Sequence, residues 1–174
     1  PIHLVTAALG DADAANSVEE LARDLVVRGA RLVKVGFAGV ADAGRVEDII
    51  ERLAHACAAV NETSGVVAVA YADQDAGRCI DARELVPRAA RAGAAGVLVD
   101  TADKRGPGLL GLWSMLTLES WLAEAHAHGL MAAANFIPWL HVDDHPADDR
   151  YALRFVTSLP ASIESFVRAR VPQA

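Results

Sequence analysis

Lysine is rare in this chain, and both lysines lie where a reactive amine would be useful. The 174 residues include 14 arginines but only two lysines, Lys34 and Lys104. An arginine stays protonated, whereas a lysine becomes a base or a nucleophile once burial or a second cation lowers its pKa. Lys34 lies in "VKV", whose valines would bury its stem, and Lys104 lies in "DTADKRG". We therefore interpret both as candidates for amine chemistry.

Other polar groups follow the same kind of apolar segment. Asp11 follows "IHLVTAALG", Tyr71 and Asp73 close "VVAVAYAD", and Asp100 and Thr101 close "GVLVDT". A carboxylate at the end of an apolar strand needs a hydrogen-bonding or charged partner. Polar groups that end several neighbouring strands indicate a site at one rim of a sheet.

A purely structural interpretation stands beside the functional one. Lys34 would then simply extend its amine to the rim of the sheet. Lys104 would pair with Asp100 or Asp103 as an ordinary loop residue, and Asp11 would serve a turn. The sequence leaves both interpretations open.

The elements that must position these residues follow from the hydrophobic pattern. Short apolar runs alternate with stretches of helical period, which predicts βαβ units and a parallel sheet covered on both faces. We predict strands at residues 2–8, 31–37, 66–73, 96–100 and 130–136, with helices at 17–28, 42–60, 81–92 and 117–128. Ser17 with Glu20, and Asp81 with Glu84, have the spacing of helix-capping pairs.

The predicted organisation is one domain. Residues 1–136 form the βα core segment, and residues 137–174 form an irregular loop, a possible strand and a C-terminal helix of the same domain. An apolar content of 53% suits a single core.

Composition argues against several classes of partner. A net charge of −7 makes the chain a poor partner for nucleic acid or an anionic membrane. No apolar run approaches the ~20 residues that span a bilayer. Cys57 and Cys79 are isolated, which is typical of reduced thiols in a cytoplasmic protein.

Metal ligation is also disfavoured. His141 and His145 lie in "HVDDH", which has metal-ligand residue types but no recognised spacing. We therefore predict no metal and no cofactor.

Three segments resemble the (5-formylfuran-3-yl)methyl phosphate synthases, which are lyases of methanofuran biosynthesis in methanogens with relatives in methylotrophic bacteria of one-carbon metabolism. The segments are "KVGF", "VAVAYAD" and "DTADKRG". The family pattern D-T-A-x-K-x-G is met by Asp100, Thr101, Ala102, Lys104 and Gly106. The resemblance covers roughly residues 4–134, and its other matches are Lys34-Val35-Gly36, Tyr71-Ala72-Asp73 and Gly10-Asp11.

The resemblance implies a fold and a reaction. The fold would be a TIM (βα)8 barrel, and the reaction would join two molecules of glyceraldehyde 3-phosphate into a furan phosphate through Schiff-base and proton-transfer steps. Lys34 would match the general-base lysine of the family, and Asp100 and Lys104 its other active-site acid and lysine. We expect the remaining rim residues to bind this small phosphorylated carbonyl substrate: Asp11, Tyr71, Asp73 and Thr101.

The match is partial. It corresponds to family strands three to seven, and neither the D-x-K-x-P segment with the Schiff-base lysine nor the final Arg-Gly turn has a counterpart. We therefore expect an α/β fold of parallel βα units, derived from a TIM barrel and incomplete or rebuilt at both ends.

Three explanations of the partial match remain open. The chain is an ordinary family member whose other segments lie outside this sequence, a shortened non-catalytic paralogue that assembles with a related barrel protein, or an open sheet that acts as a binding module. A homo-oligomer or a complex with a related protein is expected.

Overall fold

The computed structural model describes residues 5–12 and 18–135, which form five strands with helices between them. In chain order the elements are β1 (Thr6–Asp11), α1 (Val18–Val27), β2 (Leu32–Gly36), α2 (Ala43–Val60), β3 (Gly65–Tyr71), α3 (Gln74–Gly77), α4 (Ala82–Arg91), β4 (Gly96–Asp100), α5 (Leu109–Leu112), α6 (Met115–Ala127) and β5 (Met131–Ala134). Across these two ranges, no helix has both the length and the apolar character that a membrane span requires.

The sheet is wound in one direction. Each described strand pairs in parallel with the next strand along the chain, so the order is β1-β2-β3-β4-β5. Crossovers between parallel strands are right-handed, and a constant direction of travel therefore places every helix on the same face. A doubly wound sheet would reverse direction and cover both faces. The described strands thus have the winding of a βα barrel, while closure into a barrel stays a prediction.

The sequence predicted the type of each long element correctly. The five predicted strands and four long helices are all present, with ends that differ by a few residues. Two short helices, α3 and α5, were not predicted. The predicted Ser17 cap and the elements predicted after residue 136 lie outside the described residues.

Two strand ends require correction. β1 does not end at residue 8 but continues to Asp11, because its pairing with β2 reaches Gly36. β3 ends at Tyr71, so Asp73 lies just beyond the strand and precedes α3.

The two faces of the sheet have different neighbours. One face packs on α1, α2, α4 and α6, and there Leu53 and Trp121 are only 0% and 2% exposed. The indole N–H of Trp121 donates to the carbonyl of Ala82 at 2.9 Å. The opposite face carries a small separate apolar cluster with no helical residue among its buried members, formed by Leu32, Val67, Val69 and Leu98. The described helices therefore cover one face only, while these four residues of the opposite face are also buried.

The helix-packed face should supply most of the stability of the fold. We expect Leu53→Ala to lower the free energy of unfolding by about 2–5 kcal/mol, because it leaves a cavity beneath a fully buried side chain. Leu116→Ala is the matched control, since Leu116 is 76% exposed and its truncation should cost less than about 0.5 kcal/mol. Urea unfolding followed by circular dichroism measures both, and equal losses would contradict this account of the core.

Candidate active site

The predicted site residues on β2, β3 and β4 share the face of the sheet that faces away from the helices. Successive side chains of a strand point to opposite faces, and Val33 and Val35 belong to the helix-packed core. Lys34 therefore points the other way, in register with Val67 of the opposite cluster. Tyr71 and Asp100 are paired with each other at the ends of β3 and β4.

A β-bulge brings Asp11 to this same face. Ala8 of β1 pairs with Lys34 of β2, yet the next pair is Asp11 with Gly36, so β1 holds one extra residue. Gly10 lies within the bulge at a φ of 83°, a conformation that glycine adopts without strain. If β1 continued in regular register from Ala8, Gly10 would pair with Gly36, and the side chain of Asp11 would point towards the helices.

Gly36 leaves the space in which Asp11 and Tyr71 meet. The Tyr71 hydroxyl donates to Oδ1 of Asp11 at 2.7 Å, and the backbone N–H of Ala38 donates to the same oxygen at 3.1 Å. A Cβ atom on Gly36 would overlap both the Asp11 carboxylate and the Tyr71 hydroxyl. The glycine of the K-V-G segment therefore permits a contact between the first and third strands across the second.

The Tyr71 hydroxyl acts as a hydrogen-bond donor in this pair. Burial raises the pKa of Tyr71 well above its ordinary value, and the hydrogen bond to Asp11 and the negative charges of Asp11 and Asp100 raise it further. The phenol therefore stays neutral at physiological pH and holds the Asp11 carboxylate in one orientation.

Asp100 is the centre of a second polar group. Its Oδ1 accepts the Thr101 N–H at 2.7 Å and lies 2.6 Å from Nζ of Lys104. Its Oδ2 accepts a hydrogen bond from the Asn135 side-chain amide at 3.2 Å, just beyond the end of β5. Of the two partners predicted for Lys104, the ion pair forms with Asp100, while Asp103 pairs with Arg105.

Lys34 lies near enough to Asp100 to interact with its charge. Burial lowers the pKa of Lys34 below its ordinary value of 10.5, and the negative charge of Asp100 acts in the opposite direction. The neutral amine is therefore more accessible at Lys34 than at a solvated lysine. Both lysines of the chain thus interact with one carboxylate.

Two predicted substrate-binding residues have backbone roles in the structure. Asp73 accepts the N–H groups of Ala102 and Asp103 at 2.6 and 2.7 Å, one on each carboxylate oxygen. Thr101 is 6% exposed and contributes its N–H to Asp100. Both residues shape the loop that carries Lys104.

A small cleft lies beside Tyr71. It has a volume of about 170 Å³ and is lined by Tyr71, Ala72, Gln74, Asp81, Ala82, Arg83 and Trp113. The cleft extends the rim from β3 towards the start of α4.

Of the two thiols, Cys79 lies near enough to Tyr71 and Asp73 to interact with them electrostatically. Cys57 and Cys79 are buried and free. Burial, with the charge of Asp73 next in effect, raises the pKa of Cys79 to about 11, so it remains a thiol. In the described part of the chain no group of three His, Cys, Asp or Glu residues could hold a metal ion. The "HVDDH" segment lies outside that part.

Sequence reasoning missed three features of the site. The Gly10 bulge and the space above Gly36 leave no signal beyond the glycines themselves, which occur in the segments Gly10-Asp11 and Lys34-Val35-Gly36. The third feature is the contact of the Asn135 amide with Asp100, which joins two strand ends that are 35 residues apart in the sequence.

Comparison with known proteins identifies the family. A family model described as 4-HFC-P synthase matches residues 2–135. The chain belongs to this family. A relative from Methanobrevibacter smithii, named (5-formylfuran-3-yl)methyl phosphate synthase, is 34% identical over 131 residues, which are 75% of this chain and 55% of that protein. A relative of the same name from Archaeoglobus fulgidus is 33% identical over 118 residues, which are 67% of this chain and 50% of that protein. The resemblance predicted from the motifs is confirmed.

The chain spans about half the length of these curated relatives. Among solved structures, a mandelate racemase/muconate lactonizing enzyme from Roseiflexus sp. matches with a TM-score of 0.36 and 13% identity, covering 76% of this chain and 48% of its own. A likeness of that size carries no argument about the fold.

The Asp11–Tyr71 pair yields a titration test. We expect Asp11→Asn to lower the pKa of Tyr71, because the substitution removes a negative charge and a charged acceptor, while burial keeps that pKa above 10. Tyr151→Phe provides the background, since the chain has two tyrosines. Phenolate absorbance against pH reports the shift, and a Tyr71 that titrates at its ordinary pKa of 10 in the parent protein would contradict the buried pair.

Proposed function

We propose that the chain belongs to an enzyme that joins two molecules of glyceraldehyde 3-phosphate into (5-formylfuran-3-yl)methyl phosphate, acting as a lyase in the biosynthesis of a methanofuran-type cofactor. The observation that carries the proposal is the meeting of both lysines with the Asp100 carboxylate on one face of the sheet. The names of the relatives supply the product.

The stoichiometry defines what the site must do. Two trioses together hold the six carbons of the furan product, so one inorganic phosphate and two waters must leave. Each elimination needs a base that removes a proton from a carbon beside a carbonyl, and an acid that assists the departing oxygen. A base and an acid must therefore lie close together.

Lys34 suits the role of the base. Its lowered pKa makes the neutral amine more accessible, and Asp100 provides a nearby negative charge that stabilises the ammonium once a proton has been taken. The rate should accordingly rise with pH as Lys34 loses its proton.

Asp100 and Lys104 suit the complementary role. The Lys104 ammonium, 2.6 Å from Asp100, can donate a proton to a departing oxygen or neutralise a substrate phosphate. Asp11 and Tyr71 present fixed hydrogen-bond acceptors on the same face, namely a carboxylate and a phenol oxygen, which would orient a hydroxyl group of the triose.

Imine formation is assigned to neither lysine. In the family resemblance the Schiff-base lysine lies in a D-x-K-x-P segment without a match in this sequence. The alternative, a shortened non-catalytic paralogue that assembles with a related barrel protein, makes the opposite prediction of no turnover.

Phosphate release provides the test. The full-length protein with glyceraldehyde 3-phosphate should release one inorganic phosphate per furan formed, with the furan identified by mass spectrometry. Lys34→Met and Lys104→Met should each slow the reaction by about 100-fold or more, because each removes a proton-transfer group. Arg105→Met is the matched control, since it removes a neighbouring cation whose side chain is 87% exposed.

Borohydride trapping separates the two hypotheses. Reduction of an imine between a protein amine and the triose leaves a stable adduct that mass spectrometry detects. Neither adduct nor released phosphate, together with a stable complex with a related barrel protein, would overturn the enzyme hypothesis in favour of the assembly role.

A further inference from the structure

The loop that carries Lys104 is held by carboxylates at three successive residues. The N–H of Thr101 donates to Asp100 at 2.7 Å, and the N–H groups of Ala102 and Asp103 donate to the two oxygens of Asp73 at 2.6 and 2.7 Å. Asp100 acts within its own loop, whereas Asp73 reaches it from the end of β3. Asp73 therefore ties the β4 loop to the neighbouring strand.

The two hydrogen bonds to Asp73 involve the residues directly before Lys104. Hydrogen bonds to a charged acceptor are short and roughly twice as strong as neutral ones, and the two bonds of Asp73 have the lengths expected of that class. The next residue, Lys104, turns back so that its Nζ lies 2.6 Å from Asp100. The course of the backbone at residues 102 and 103 thus decides whether Lys104 reaches Asp100.

We propose that Asp73 is a positioning residue that fixes the Lys104 amine against Asp100 by clamping the backbone of residues 102 and 103. This role differs from the substrate binding predicted from the sequence, since each oxygen of Asp73 already accepts a backbone N–H. Its consequence for turnover rests on the proposed function, while its consequence for the position of Lys104 does not.

The clamp requires a carboxylate rather than an amide. An asparagine at position 73 would offer one oxygen acceptor and one NH2 donor, so one loop N–H would face another donor and lose its partner. Asp73→Asn therefore releases half of the clamp with almost no change in shape.

Asp42→Asn is the matched control. Asp42 caps α2 and accepts a single N–H, from Arg45 at 2.7 Å. Asparagine and aspartate cap helices about equally well, so the same change of charge should have little effect there.

The two lysines make the position of Lys104 measurable without any substrate. Reductive methylation with ¹³C-formaldehyde labels the lysine side chains and the N-terminal amine, and the signal that disappears in Lys104→Arg is that of Lys104. In the parent protein we expect a Lys104 signal broadened by its contact with Asp100. In Asp73→Asn we expect that signal to narrow and to move towards the shift of a solvated lysine, whereas Asp42→Asn should leave it unchanged.

Kinetics with glyceraldehyde 3-phosphate provide the second readout. Positioning predicts that Asp73→Asn lowers kcat by about 100-fold, since small displacements of a reacting group have effects of that size, with little change in KM. A rise in KM with kcat retained would overturn the proposal and favour substrate binding by Asp73.

The outcomes are separable. A folded Asp73→Asn protein with an unchanged Lys104 signal overturns the clamp, whatever the activity. If the parent protein shows no turnover, the proposed function is overturned. The Lys104 signal in Asp73→Asn then still shows whether Asp73 positions Lys104.

A second variant covers the case in which Asp73→Asn does not fold. A Cβ added at Gly77 would lie 3.0 Å from Sγ of Cys79 and 3.3 Å from the Cβ of Ala102, so Gly77→Ala crowds the loop at residue 102 while position 73 stays aspartate. The Lys104 signal should narrow there too, and an unchanged signal would overturn the coupling between residue 102 and Lys104.

Discussion

In a parallel sheet whose strands follow one another in a single direction, the helices pack on one face, and the opposite face is left for side chains that the helices do not cover. In this chain the helix-packed face is filled by valine, alanine and leucine, so a polar side chain on a strand has to point to the other face. The five-strand order and the period-two alternation of side chains then bring Lys34, Tyr71 and Asp100 together. The position of the candidate site is thus a consequence of the winding of the sheet.

The chemistry of the site depends on how closely unlike charges are held there. Asp100 is only partly exposed, with 18% of its side chain accessible, and a carboxylate in that position needs several partners. A backbone N–H, an amide and a lysine ammonium supply them, and Lys34 senses the same charge. Burial and charge act in opposite directions on the pKa of Lys34, which leaves this amine able to exchange a proton.

The sequence predicted the strands and the long helices well, because both depend on local patterns. Apolar runs indicated the strands, and the scarcity of lysine drew attention to Lys34 and Lys104. Contacts between strands could not be predicted in this way. The bulge that turns Asp11, the space above Gly36 and the partners of Asp73 all depend on register across neighbouring strands, which spacing along one strand does not encode.

The central claim is that Lys34 is a partly buried amine whose pKa is lowered by burial and partly restored by the negative charge of Asp100. A ¹³C NMR titration of the methylated lysines in the parent protein and in Asp100→Asn tests it most directly. The account predicts a Lys34 pKa below 10.5 in the parent and a still lower pKa in Asp100→Asn, because the variant loses the charge that opposes burial. A Lys34 pKa at or above 10.5 in the parent, or one that Asp100→Asn leaves unchanged, would contradict it.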